Sequence, residues 1–169
     1  MTIDLEDAAA EIRTLLQDKS ATDCAPRLCG IVSRMLNDDA FVARHLPDRA
    51  RGEHPRAVLY EDAETGFCIC GHVYEGHAES APHDHGSSWA IYGQAEGETE
   101  MTDWKIVQAG SGDEAALVEP LRTYLLRRGD AHFYDVGAVH SPKREASTRL
   151  IRVEGANLDH VQRSKIRAA

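Results

Sequence analysis

A chain of 169 residues is long enough for one domain whose core needs neither disulfides nor a structural metal. Lys and Arg total 19 against 28 for Asp and Glu, and the net charge of −9 works against nucleic acid and acidic membrane surfaces and directs attention to a small-molecule or protein partner. The N-terminal MTIDLEDAAAEIRTLL lacks the basic-then-apolar order of an export signal, and no segment approaches the roughly 18 apolar residues of a membrane span. A soluble, cytoplasmic protein is expected.

Asp4 to Leu16 places Leu5, Ala8, Ile12, Leu15 and Leu16 at helical spacing, with acids in the first turn. Pro26 to Leu36 repeats the pattern, with Pro26 suited to a first helical turn, and Asp38 to Leu46 adds a shorter helix. LPDRARGEHP, Leu46 to Pro55, ends the helical part with two prolines and a glycine. The expectation is a single domain over 1–169, helical over 1–50 and a barrel over 55–157. After Pro55 the runs RAVLYE, GFCICGHVY, SSWAIYGQAEG, EMTDWKIVQAG, YLLRRGDAHFYD and TRLIRVEG read as strands, separated by turns such as EDAETG, GSGDEA and SPKREAS. This predicts a mainly β barrel or sandwich. Cys24, Cys29, Cys68 and Cys70 show no C-x-x-C pairing, so reduced thiols are expected. Cys68 and Cys70 share one strand face as core residues.

The segment PHDHGSSWAIYG carries His83 and His85, which point the same way if the segment is a strand. Most of the other histidines have bland readings: His45, His54 and His160 as surface residues, and His72 on a strand surface or behind a metal ligand. A third candidate ligand is His140, in GDAHFYDVGAVHSP.

These two segments resemble the two sequence motifs of the cupins. Gly76, His83, His85 and Gly97 follow the first, with one extra residue after Gly76. Gly129, Gly137 and His140 follow the second. Ala90 stands where most cupins carry a Glu ligand, Asp135 where Pro is usual, and Arg144 where Asn is usual. The resemblance implies a double-stranded β-helix, the cupin jelly-roll barrel, preceded by N-terminal α-helices. It also implies a metal held by His83, His85 and His140 with no carboxylate.

The missing Glu and the segment PHDHGSSW narrow the resemblance to the thiol dioxygenases, the type of cysteine dioxygenase and mercaptopropionate dioxygenase, over most of the chain to about Asn157. That implies Fe(II), with Ni, Zn or Mn as other divalent metals, and dioxygen adding to the sulfur of a small thiol to give a sulfinate. Arg56 would take the substrate carboxylate through its planar fork, with Trp89 and Tyr92 beside it. The Ser-His-Tyr series of those enzymes is missing from TRLIRVEG, which leaves His132 and Tyr134 as candidate catalytic groups, with Tyr92 or Arg149 as other sources of the missing polar group. A three-His dioxygenase acting on a diketone or flavonol, or a cupin that binds metal or ligand without turnover, remain as alternatives. The sheet edges leave monomer and homodimer equally open.

Overall fold

The computed structural model describes residues 2–46 and 55–169. The expected loop over Leu46–Pro55 falls mostly outside these residues, and His54 lies outside them. Helix α1 (Leu5–Asp18) starts at Asp4, whose carboxylate accepts from Glu6 N at 2.9 Å. Helix α2 (Ala21–Asn37) starts well before the expected Pro26, because Ser20 and Asp23 form a cap in which Asp23 N donates to Ser20 Oγ at 3.2 Å. The capping pair outranks the proline, which sits inside the helix. Helix α3 (Asp39–His45) is capped by Asp38, which accepts from Ala40 N and Phe41 N.

Among the described residues ten strands follow: β1 (Arg56–Glu61), β2 (Cys68–Tyr74), β3 (Ala78–Glu79), β4 (Ala90–Glu96), β5 (Thr99–Gln108), β6 (Ala116–Leu126), β7 (Ala131–Tyr134), β8 (His140–Arg144), β9 (Thr148–Glu154) and β10 (Ile166–Ala168). They form two five-stranded sheets, ordered β1-β2-β9-β4-β7 and β10-β6-β5-β8-β3. Three expectations are corrected. YLLRRGDAHFYD is not one strand but the end of β6, a turn at Gly129 (φ +88°), and β7. SPKREAS is not a turn throughout, since Ser141 to Arg144 continue β8 beside β5. The strands also run past Asn157, with β10 pairing parallel to β6.

Alternation along the first sheet separates two environments. Phe67, Ile69, Ile91, Ala95, Ile151 and Val153 join Ile12, Leu28, Val32, Met35 and Leu36 in the apolar core beneath the helices. α2 lies closest at Gly93, where a Cβ would come within 2.5 Å of Val32 Cγ1 and 2.9 Å of Leu36 Cδ1. The intervening residues, among them His72, Tyr92, Leu150 and Arg152, line the barrel interior. Cys68 and Cys70 are fully buried, as expected, and burial raises the Cys70 thiol to about 12.

The turn between β1 and β2 is tied to α1 by Asp62. Its carboxylate accepts from Arg13 Nε at 2.7 Å, Thr65 Oγ1 at 2.7 Å and Tyr60 Oη at 3.1 Å. Burial alone would raise this carboxyl. The hydrogen bonds from Arg13, Thr65 and Tyr60 more than offset that and hold it well below the ordinary carboxylate range. A group depressed in this way stabilises the fold above its unfolded pKa of about 4 and loses that contribution as acid protonates it. Urea unfolding of Asp62→Asn should therefore show about 2 kcal/mol less stability than wild type at pH 7, with the gap narrowing as pH falls below about 4. A gap of constant size down to pH 2 would show that Asp62 acts through shape alone.

Candidate metal centre

His83 and His140 are fixed side by side by a reciprocal backbone bridge, His83 N to His140 O and His140 N to His83 O, each 3.0 Å. His140 opens β8, but His83 and His85 lie in a loop joined to β8 by this bridge and by Ser80 N donating to Pro142 O at 3.1 Å, which corrects the strand reading of PHDH. The loop holds its shape through Asp84, a buried carboxylate that accepts from Gly86 N at 3.0 Å and Ser164 N at 3.1 Å. Gly86 sits at φ +58°, and a Cβ there would meet Gln162 O at 2.3 Å. Only glycine fits this left-handed turn against the C-terminal segment.

The three imidazoles converge, with one donor atom from each of His83, His85 and His140 lying within 4.8 Å of the others. His83 Nδ1 donates to Ala81 O at 2.9 Å and His140 Nδ1 to Ala138 O at 3.1 Å, which leaves the Nε2 lone pairs of both rings free. Burial, then the neighbouring His83, lowers His140 to about 3. Burial likewise lowers His83 and His85, so all three rings are uncharged at neutral pH. Tyr92 Oη lies 3.2 Å from His85 Nε2 and 3.3 Å from His140 Nε2, and accepts from Arg152 Nη1 at 3.1 Å. One hydroxyl proton cannot serve every lone pair in the cluster. Uncharged, lone-pair-rich imidazoles with this spacing fit a divalent cation such as Fe(II), Ni, Zn or Mn. Ala90 adds no carboxylate, so the set stays neutral.

His83, of the three, lines a pocket of about 420 Å³ whose lining also includes Arg56, His72, Tyr74, Tyr92, Arg144 and Arg152 and no acidic residue. Arg56 lines it as expected, but its guanidinium is already engaged, donating to Glu154 and Asp159 at 2.8 Å each and to Asn157 at 3.1 Å. Glu154 is fully buried and also accepts from Arg152 Nε at 2.6 Å. Tyr92 and Arg56 thus both line the pocket, and the Arg56 guanidinium is held there by Glu154, Asn157 and Asp159.

Trp89 is not at this pocket. Strand parity turns it to the helix side, where it stacks on Phe133 and packs against Gly155. Tyr134 stacks on the His140 ring with centroids 4.0 Å apart, and its hydroxyl is 2.5 Å from Tyr124 Oη. His132 packs on Tyr134 at 4.6 Å, one ring further from the cluster. Arg149 pairs with Glu96 and donates to Leu46 O, on the helix side of β9. His72 is buried, not on a strand surface. Arg144 and Arg152 were not singled out as site residues from the sequence. The signal was present in the period-two register of β9, which turns Leu150, Arg152 and Glu154 inward together.

No protein-family model and no curated protein matches the chain. Solved structures do. An uncharacterized conserved protein with a double-stranded β-helix domain from Klebsiella pneumoniae is similar at 17% identity and a TM-score of 0.50, over 74% of this chain and 88% of that one. The TT1209 protein from Thermus thermophilus is similar at 19% identity and a TM-score of 0.48, over 67% and 91%. A cupin superfamily protein from Desulfitobacterium hafniense is similar at 10% identity and a TM-score of 0.45, over 64% and 84%. Two curled five-stranded sheets behind N-terminal helices, matched by the Klebsiella structure, give this chain the double-stranded β-helix fold of the cupins.

Proposed function

We infer that the chain is a three-histidine, Fe(II)-dependent dioxygenase that converts a small carboxylated thiol, of the cysteine or mercaptopropionate kind, to its sulfinate. The observation that carries this reading is the uncharged cluster of His83, His85 and His140, without a carboxylate, joined through His83 to a pocket walled by arginines. Bound Fe(II) would supply open coordination positions and a 2+ charge that the neutral rings do not cancel, which favours an anionic thiolate.

The protein's own groups would bind and orient. The cationic wall draws in an anion and, together with the apolar flank of Pro142 and Leu150, limits water beside the reacting atoms. Tyr92 Oη, positioned by Arg152, offers a hydrogen bond at the open side of the cluster. The reaction balances without another reductant, since the thiolate and dioxygen together contain every atom of the sulfinate and sulfur supplies the electrons.

Loaded with Fe(II) under anaerobic conditions, the protein should consume oxygen with cysteine or mercaptopropionate and form the matching sulfinate, and do neither with cysteamine or a diketone. Uptake with the diketone alone would move the assignment to carbon–carbon cleavage, and no uptake with any compound would remove the dioxygenase reading. His85→Ala should weaken metal binding by at least about 100-fold, more than loss of a group supporting a ligand would, as read by equilibrium dialysis. Tyr92→Phe should keep the metal and lower kcat by about 100-fold. Equal loss of metal and rate in Tyr92→Phe would place the phenol among the groups that build the metal site.

A further inference from the structure

Four buried side-chain polar atoms lack a hydrogen-bond partner among the described residues, and three belong to residues lining the pocket that His83 also lines: Arg56 Nε, His72 Nε2 and Arg144 Nε. Four arginines line the pocket; Arg163 is exposed, and the three inward ones, Arg56, Arg144 and Arg152, differ in their counterions. Arg56 and Arg152 share the buried Glu154, and Arg56 also reaches Asp159. Arg144 is only 2% exposed, yet among the described residues it meets no carboxylate and makes no hydrogen bond. Its one partner is the ring of Tyr74, 4.2 Å from the guanidinium carbon. Burial, with a contribution from Arg152, lowers its pKa, as expected for a cation without a counterion.

A cation–π contact does not replace the hydrogen bonds that a buried guanidinium gives up on leaving water. His72, also on this wall, is uncharged through burial, and its Nδ1 lies 3.4 Å from Tyr74 Oη. With Tyr74 donating to Nδ1, the remaining ring proton sits on Nε2 as an unused donor. A lone buried guanidinium and a neutral N–H donor match a group with one negative charge and two acceptor oxygens.

Arg144 and His140 are on the same strand and the same face, four residues apart, with Cα atoms about 13 Å from each other. An acid seated at Arg144 would extend along the pocket toward the histidine cluster, a distance that the arginine side chain and a small molecule cover between them.

We propose that Arg144, stacked on Tyr74 and flanked by His72, is the seat for the carboxylate of a small organic acid whose other end reaches His83, His85 and His140. That the acid is the substrate rests on the dioxygenase reading. The seat itself is independent of turnover.

Calorimetric titration of the metal-free protein tests it, with propionate, the neutral propionamide and inorganic phosphate as probes. Propionate should bind, propionamide should not, and Arg144→Met should weaken propionate at least tenfold while Arg144→Lys falls between. In melting experiments without any anion, Arg144→Met should be as stable as wild type or more so, because it removes an uncompensated charge, and propionate should no longer raise its melting temperature. Unchanged propionate binding in Arg144→Met would overturn the proposal, as would tighter binding of phosphate than of propionate. A fall in the anion-free melting temperature of Arg144→Met would also overturn it, by showing that the arginine has a structural partner. A silent oxygen electrode with intact propionate binding would count against the dioxygenase reading alone.

Discussion

The structure depends on a two-residue alternation in three neighbouring strands. On β2, β4 and β9 every second side chain enters the apolar core under the helices, and the residues between them enter the barrel. A slip of one residue in any of these strands would exchange the two sets. It would place Arg152 and Glu154 among Val32 and Leu36, where ions could not be solvated. Gly93 adds to the constraint, because only a residue without a side chain admits α2 at that point. The helices therefore do more than cover a sheet. By claiming Ile91, Ile151 and Val153 they fix which residues remain for the pocket.

Inside the barrel the governing quantity is charge. Glu154 is the buried acid that faces the inward arginines, and it is divided between Arg56 and Arg152. The division makes Arg152 a fixed donor to Tyr92, and through Tyr92 the same network touches His85 and His140. Five cationic or polar groups, Arg56, Arg152, Tyr92, His85 and His140, are thus linked in one arrangement through a single carboxylate with no exposure to solvent. Such a network is rigid when complete and costly when broken, since losing the acid would leave the buried Arg152 guanidinium without a carboxylate.

Much of this was legible in the sequence, and the gaps have physical causes. Helical periodicity located all three helices, and the spacing of His83, His85 and His140 identified residues that the fold does bring together. Ser20 was passed over because Pro26 is the more conspicuous signal, although a capping oxygen governs where a helix begins. Gly129 and Gly137 read as turns and His140 as a strand start, and all three hold, although the run YLLRRGDAHFYD around Gly129 also reads as one strand. Trp89 follows the histidines in sequence, but an odd spacing from Tyr92 puts it on the opposite face of the strand. Arg56 was a reasonable anion binder by residue type, and only the fold reveals that Glu154 and Asp159, about a hundred positions later, occupy it.

Arg144 is the instructive case. It entered the sequence reading as a departure, an arginine where the cupin motif usually has asparagine. The fold turns that departure into a property of β8, which carries His140 at one end and Arg144 at the other, both facing inward and both buried. Because they belong to one strand held by β5 on one side and by β3 near Arg144, the separation between His140 and the unpaired cation is set by strand geometry. A substrate anchored at both places would be selected for length as well as charge, and no residue of this strand would have to move to bind it.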